Sequence, residues 1–248
     1  MSTSDDLLGL AIGLIAMLFA CVGQAGGAGY VAVMGLFGLG PAAIKPAALA
    51  LTLLVAVIGV VRFHSLGLLK SRDWYPFALL GVPCSLAGGT LDLPGHAYRL
   101  TVAVLLLAAA AQMIRTARAG QMHDERALPQ PPLLPAILAG GAIGLAAGLT
   151  GIGGGVLLAP LMLSLGWATT KRAAAAAQVN NLYTAASALT GVLASSHALP
   201  APLPWWAGAA ALGGMLGSWL GAKHLPASVL RTILAAVLFI SGVKLALG

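Results

Sequence analysis

The chain has 248 residues, of which 59% are hydrophobic and only 8% are Asp, Glu, Lys or Arg. An average soluble domain carries about 25% charged residues, so this composition excludes a soluble enzyme. The 33 glycines fit closely packed helices, whereas an aromatic content of 6% argues against a membrane β-barrel with its aromatic girdles. The composition therefore predicts an all-α, polytopic helical membrane protein.

The charged residues are mainly basic, with 13 Lys and Arg against 6 Asp and Glu and a net charge of +7. In a membrane protein such an excess marks cytoplasmic loops, so we expect a lipid bilayer and no nucleic acid as partner. Asp5 and Asp6 precede the first apolar segment without any basic residue, which argues against a cleaved signal peptide. We expect a multi-pass protein of the inner (cytoplasmic) membrane, with a homo-oligomer left open.

Eight apolar segments follow one another along the chain. They span residues 7–39, 42–63, 75–93, 98–116, 133–165, 168–194, 203–220 and 227–247. The first and the fifth are too long for one ordinary crossing, and glycine clusters at 26–29 and 151–155 interrupt them. A polar linker at 118–132 separates the halves, which predicts a first membrane repeat at 1–117 and a second at 133–248.

An internal repeat is visible in the glycine pattern. Gly27 aligns on Gly153, Gly40 on Gly166 and Lys45 on Lys171, and further on Gly81 aligns on Gly213. If the first and fifth segments each return to the side from which they started, one face keeps only Lys45, Arg99 and Lys244, and the other receives the remaining ten Lys and Arg. The positive-inside rule favours this arrangement, which predicts two inverted four-segment repeats, each beginning with a glycine-broken, re-entrant or discontinuous helix.

Both glycine regions resemble a known family. The run GLTGIGGGVLLAPLMLSLGWATTKRAAAAA, and its weaker counterpart AGGAGYVAVMGLFGLGPAAIKPAALA in the first half, are similar to the duplicated signature of the TauE/SafE sulfite exporters. The resemblance covers nearly the whole chain except the linker. It implies a polytopic inner-membrane protein that carries sulfite, thiosulfate, organosulfonates or related small anions.

The glycine clusters are candidate anion sites. Non-helical backbone at membrane depth must face protein or a watery cavity, and glycines at a helix start leave N–H groups at the positive end of the helix dipole. A polar run follows in the sixth segment and places Asn180 and Thr184 on one helix face. The candidate substrate-binding residues are Gln24, Gly26, Gly27, Gly29, Thr150, Gly151, Gly153, Gly154, Gly155, Gln178, Asn180, Asn181 and Thr184. The alternative is that they serve helix packing and interhelical hydrogen bonding.

Cations and cysteines give further candidates. Lys45, Lys171 and Arg172 follow the glycine regions and are predicted cavity-mouth cations, with snorkelling to headgroups as the alternative. Cys21 and Cys84 are possible contacts for a sulfur-containing substrate, although a buried free Cys is usually a small hydrophobe. Their spacing indicates no disulfide framework and no metal site. All six acids lie outside the centres of the apolar segments, so a carboxylate proton relay is disfavoured.

Together these patterns predict a transporter or facilitator of small sulfur-containing oxyanions, most simply an exporter driven by membrane potential. No catalytic or nucleotide-binding motif is present, so we expect neither an enzyme nor a cofactor. A non-transporting membrane assembly or sensor subunit, and a transporter of another small anion, remain open alternatives.

Overall fold

The computed structural model describes residues 3–118, 131–195, 198–220 and 227–247, and the described residues form ten helices. They are α1 (Thr3–Cys21), α2 (Gly27–Leu36), α3 (Pro41–Ser65), α4 (Ser71–Thr90), α5 (Gly95–Arg118), α6 (Leu133–Thr150), α7 (Gly155–Ser164), α8 (Thr170–Ala194), α9 (Leu203–Leu220) and α10 (Ala227–Leu247). Most of the predicted linker, 119–130, lies outside the described residues, and the domain boundaries stay a prediction.

The predicted all-α membrane fold is confirmed. Four stretches of the described chain are long and apolar enough to cross a bilayer: Pro41–Ser65, Gly95–Arg115, Leu133–Thr150 and Val229–Leu247. Ten helices arise from eight apolar segments because the first and fifth segments each divide at their glycines into a long and a short helix. The short helices, α2 and α7, are both apolar and ten residues long, or about 15 Å.

The first broken segment forms a hairpin with unequal arms. A Cβ on Gly23, just after α1, would lie 2.8 Å from the Cβ of Ala174 and 3.3 Å from Phe63, so α1 ends level with the last turns of α3. α2 begins deeper, with Gly27 against Thr52 near the middle of α3. α2 then runs to the start of α3, so α1 and α3 begin at the same end, as predicted. The first arm is nevertheless a full-length helix and not a shallow dip.

Glycines allow the two halves of the chain to interlock. A Cβ on Gly213 of α9 would lie 2.0 Å from the carbonyl oxygen of Gly13 in α1. A Cβ on Gly144 of α6 would lie 2.3 Å from the carbonyl oxygen of Gly81 in α4. Such close backbone contact requires residues without side chains. The first helix of each half therefore packs against a helix of the other half.

The central pair, α3 and α8, is antiparallel. Gly59, late in α3, lies against Gln178, early in α8, whereas Leu49, early in α3, packs with Ala188, late in α8. Both helices have 25 residues, so Thr52 and Asn181 are the twelfth residues of equivalent helices. An antiparallel contact between equivalent helices is the arrangement that an inverted repeat requires. The inverted relation of the two halves stays a prediction, which this pair supports.

The structure corrects the register of the predicted repeat by two residues. Gly38 and Gly166 both have positive φ, +80° and +66°, and lie two residues beyond α2 and α7. Gly27 therefore corresponds to Gly155, and not to Gly153. The sequence alignment was wrong because it paired glycines by residue type alone. Gly38 and Gly166 are the equivalent pair, since both have the left-handed conformation that ends a helix. Lys45 and Lys171 are consequently not equivalent.

Most of the described Lys and Arg side chains lie at one end of the molecule, the end at which α3 finishes and α8 begins, which we call the basic end. They are Arg62, Lys70, Arg72, Arg115, Lys171, Arg172 and Arg231. The opposite end holds Lys45, Arg99 and Lys244. Every cation whose side chain the structure describes is thus on its predicted face, while Arg126 and Lys223 lie outside the described residues.

Candidate functional site

The two short helices begin against each other, in a region that we call the glycine junction (26–27 and 151–155). A Cβ on Gly27 would lie 2.0 Å from the carbonyl oxygen of Ile152, so position 27 has no room for a side chain. Gly26 and Gly153 adopt φ of +86° and +81°, a conformation that favours glycine. The two glycine clusters, about 125 residues apart in the chain, are therefore in direct contact.

The polar face of α8 lies against the start of α7. The backbone N–H of Gly155 donates to Asn181 Oδ1 at 2.7 Å, which satisfies one of the N–H groups that a helix start leaves unpaired. A Cβ on Gly154 would lie 2.2 Å from Asn180 Nδ2. The Tyr183 hydroxyl donates to Asn180 Oδ1 and fixes this amide, and the Thr184 hydroxyl donates to the Asn180 carbonyl oxygen at 2.6 Å.

Five buried polar atoms around the junction have no hydrogen-bond partner within the described part of the chain. They are Gln24 Oε1, Tyr30 Oη, Thr52 Oγ1, Gln178 Oε1 and Asn180 Nδ2. Their side chains are 8% exposed or less. An unsatisfied buried polar atom costs about 1–3 kcal/mol, so a cluster of them is typical of a site that awaits a ligand.

Thr52 is one of two members of this group, with Tyr30, that sequence reasoning missed. It is fully buried, and its hydroxyl oxygen lies 2.7 Å from the place that a Cβ on Gly27 would occupy. A signal was present in the sequence, because Thr52 is the one polar residue between Lys45 and Arg62 in an otherwise apolar helix. A single hydroxyl in such a helix usually bonds to its own backbone, which is why it attracted no prediction.

A cavity of about 580 Å³ opens at the basic end, and we call it the vestibule. Its lining includes Arg62, Lys171 and Arg231, and among the described residues that line it there is no Asp or Glu. Gln178 contributes to its wall, and a small adjoining recess is lined by Gln24 and again by Arg231. The three cations in the described lining give the vestibule a positive potential that concentrates anions.

Lys171 lines the vestibule, whereas Arg172 is engaged elsewhere. The Arg172 guanidinium makes a bidentate ion pair with Asp73, through Nε to Oδ2 at 2.8 Å and through Nη2 to Oδ1. Asp73 is only 2% exposed, so this carboxylate, which lies outside the centres of the apolar segments, is nevertheless buried at the start of α4. Its charge is matched by Arg172, which makes the pair an interhelical connection.

Lys45 is held by backbone carbonyl oxygens. Its ammonium, 5% exposed as a residue, donates to the carbonyl oxygens of Gly88, Gly89 and Leu91 at 3.2, 2.9 and 2.7 Å. These carbonyls end α4, where a cation is stabilising. Lys45 borders a second cavity of about 350 Å³, the distal cavity, at the end opposite the vestibule. The ammonium also lies 3.8 Å from Asp92 Oδ1, so its charge is shared between the end of α4 and that carboxylate.

The remaining candidates divide between the site and helix packing. Cys21 lines the vestibule, whereas Cys84 packs against Gly141 between α4 and α6. Gly29 lies against Ile15 and Phe19 of α1, so its role is close packing. Thr150 ends α6 and bonds within its own helix, with its hydroxyl 2.6 Å from the Ala146 carbonyl oxygen. Gly151 has φ +81° and contacts the backbone of Lys45.

Comparison with known proteins identifies the family. The family model described as "Sulfite exporter TauE/SafE" matches residues 8–245. The chain belongs to the TauE/SafE sulfite exporter family. A relative named "Probable membrane transporter protein y4hK", from Sinorhizobium fredii (strain NBRC 101917 / NGR234), is 45% identical over 242 residues, which cover 97% of this chain and 98% of the relative. No solved structure matches the chain.

The family membership confirms the resemblance seen in the glycine motifs. TauE/SafE proteins are membrane transporters, and the curated relative carries a transporter name. The chain is therefore a member of a membrane transporter family.

Proposed function

We propose that this TauE/SafE protein exports small sulfur-containing oxyanions, such as sulfite, thiosulfate or organosulfonates, across a bacterial cytoplasmic membrane. The observation that carries the proposal is the vestibule, in which Arg62, Lys171 and Arg231 line a cavity that reaches the buried polar side chain of Gln178. The family name supplies the substrate class. The glycine junction lies beyond Gln178, about 10 Å deeper, since seven residues of α3 separate Gly59 from Thr52.

The chemistry of the vestibule and junction suits an oxyanion that must bind and then leave. The cations attract the anion from solution, and neutral donors deeper in the protein replace part of its hydration shell. Amides and hydroxyls donate to an oxyanion without placing a second full charge in a low-dielectric region. An anion held by such donors is released more readily than one locked to a buried cation.

The distribution of charge supports export. The vestibule opens at the basic end, which the positive-inside rule assigns to the cytoplasm. A cytoplasmic anion then meets the positive vestibule first. A membrane potential of about 100 mV, negative inside, favours outward movement of one negative charge by about 2.3 kcal/mol. The buried carboxylate of the described chain, Asp73, is paired with Arg172, which argues against its use as a proton carrier.

Flux in proteoliposomes tests the proposal. Purified protein is reconstituted, and the movement of radiolabelled sulfite and taurine is measured under potassium–valinomycin potentials of either sign. We expect saturable flux of at least one anion that reverses its preferred direction with the potential. If protein shown to be folded and inserted moves neither anion, and neither anion raises its melting temperature, the sulfur-anion proposal is wrong and the assembly or sensor hypothesis gains support.

Charge-neutralising variants connect flux to the vestibule. Arg62→Gln and Lys171→Gln should each raise the KM for the transported anion about 3- to 10-fold, because each removes one cation from the positive field. Arg115→Gln is the matched control, since Arg115 is exposed at the same end but outside the vestibule lining. Equal effects of all three variants would show that the vestibule has no special role.

Cys21 offers an independent measurement of access. In a Cys84→Ala background, Cys21 is the remaining cysteine and lines the vestibule. An anionic thiosulfonate reagent should label it faster than a cationic reagent of similar size, and labelling should be faster from the cytoplasmic side. Saturating substrate should slow the reaction. Faster labelling by the cationic reagent would contradict a positive vestibule.

A further inference from the structure

The two helix starts at the glycine junction are equivalent in position but not in hydrogen bonding. Gly155 begins α7, and its N–H donates to Asn181 Oδ1. Gly27 begins α2, where the equivalent side chain is Thr52, yet α2 has no side-chain cap. Within the described part of the chain Thr52 Oγ1 has no hydrogen-bond partner, although Thr52 is fully buried. The start of α7 is bonded to a side-chain oxygen, and the start of α2 is not.

The position of Thr52 is defined by contacts to both glycine clusters. Its hydroxyl oxygen lies 2.7 Å from the Cβ position of Gly27, and its methyl carbon lies 3.1 Å from that of Gly153. Asn181 occupies the corresponding place at α7, with its amide nitrogen 2.4 Å from the Cβ position of Gly155. At the start of α7 the place of an anion is thus occupied by the Asn181 side-chain oxygen, which accepts from the Gly155 N–H. At α2 the Thr52 hydroxyl lies beside Gly27 and makes no hydrogen bond to any described group.

We propose that the start of α2 and the Thr52 hydroxyl form an inner binding station for one oxyanion, whose counterpart at α7 is permanently filled by Asn181. The first N–H groups of α2 lack intrahelical acceptors and lie at the positive end of a ten-residue helix. Thr52 adds a hydroxyl donor beside them. This inference rests on the proposed function, because it names the place at which the exported anion is held between the two cavities.

The station is closed in this state. The linings of the vestibule and the distal cavity, as far as the described residues define them, do not include Thr52. The carbonyl oxygen of Ile152 packs on Gly27 and separates the two cavities at this point. An anion reaches Thr52 when this backbone contact opens toward the vestibule. Opposite opening toward the distal cavity releases it.

The experiment compares Thr52→Val, Thr52→Ser and Asn181→Ala in full-length protein. Affinity is measured in detergent from the stabilisation of melting by sulfite and by nitrate, and flux is measured in proteoliposomes. Thr52→Val should weaken anion affinity about 10- to 100-fold, since it removes one hydrogen bond to a charged group. Thr52→Ser should keep affinity within a few-fold of the wild type. Thr190→Val, at an exposed threonine of α8, is the matched control.

Stability in the absence of anion separates a binding role from a structural one. The Thr52 hydroxyl has no partner, so Thr52→Val should leave the melting temperature unchanged or raise it. Asn181→Ala should lower the melting temperature, because it removes the acceptor for Gly155 N–H. A Thr52→Val protein that melts at a lower temperature and binds anions normally would overturn the inner station.

The outcomes also distinguish this inference from the proposed function. Sulfur-anion flux that is unchanged in Thr52→Val overturns the station and leaves the proposed function standing. Nitrate binding that depends on Thr52, without flux of any sulfur anion, supports the station and contradicts the substrate assignment. Wild-type protein that is folded but binds neither anion overturns both.

Discussion

Removing one partner of the Arg172–Asp73 ion pair should have unequal consequences for stability. The Asp73 side chain is 3% exposed, whereas the Arg172 side chain is 24% exposed. Arg172→Gln leaves a buried carboxylate without its cation, which costs about 3–5 kcal/mol of unfolding free energy. Asp73→Asn leaves a guanidinium that reaches water, and the loss is then about 1–2 kcal/mol.

These free energies convert into measurable shifts. For a chain of this size, 1 kcal/mol corresponds to about 2–4 °C in melting temperature. Arg172→Gln should therefore lower the melting temperature by about 6–20 °C, and Asp73→Asn by about 2–8 °C. The double variant should be more stable than Arg172→Gln alone, because the unmatched buried charge is gone.

The assay is thermal unfolding of the four proteins in one detergent, followed by circular dichroism. Arg115→Gln, which removes an exposed cation at the same end, is the control and should shift the melting temperature by little. Equal losses from the two single variants would refute the argument from burial. Additive losses in the double variant would show that the two side chains do not interact.

Three further outcomes follow from the packing. Gly27→Ala should abolish flux and lower the melting temperature, since its Cβ would lie 2.0 Å from the Ile152 carbonyl oxygen; Gly208→Ala, at an open helix position, should be tolerated. Lys45→Met should cost about 1–3 kcal/mol in thermal unfolding, because it leaves the last carbonyls of α4 without their donor, and Lys45→Arg should recover part of the loss. Raising the salt concentration should increase the KM for the anion while leaving the maximal rate unchanged, because salt screens the vestibule cations, and a KM independent of salt would contradict their role.

The sequence predicted the features that depend on local chain properties. A protein that crosses a bilayer requires long apolar helices. Glycine clusters inside such helices indicate non-helical backbone, which must be surrounded by protein or by water. The polar face of α8 followed from helical periodicity, which brings Asn180 and Thr184 together. The duplication of the glycine clusters was visible in the sequence, and the fold brings them into contact at Gly27 and Ile152.

The features that the sequence did not predict depend on which distant segments meet. Asp73 and Arg172 are 99 residues apart, and the burial of Asp73 follows from the packing of α4 on α8. Lys45 reaches carbonyls 43 to 46 residues away, so its capping role had no local signal. Thr52 looked like an ordinary helix residue until the fold placed it against Gly27. The two-residue error in the repeat arose because glycines were aligned by sequence, whereas the equivalent glycines are those with the same backbone conformation, Gly38 and Gly166.

The interlocked helices explain how a closed station can open. α1 is joined through close glycine contacts to α9 of the second half, and α6 is joined in the same way to α4 of the first half. The glycine cluster that follows α1 is therefore attached to a helix that packs on the second half, and the cluster that follows α6 is attached to a helix that packs on the first half. Any relative rotation of the halves must move Gly27 against Ile152, because Gly27 follows α1 and Ile152 follows α6, and these two helices pack on different halves. The relative rotation of the halves that alternating access requires therefore exposes an inner station at this contact to one cavity or to the other. Because the anion binds at the start of α2 alone, each such movement transports a single anion.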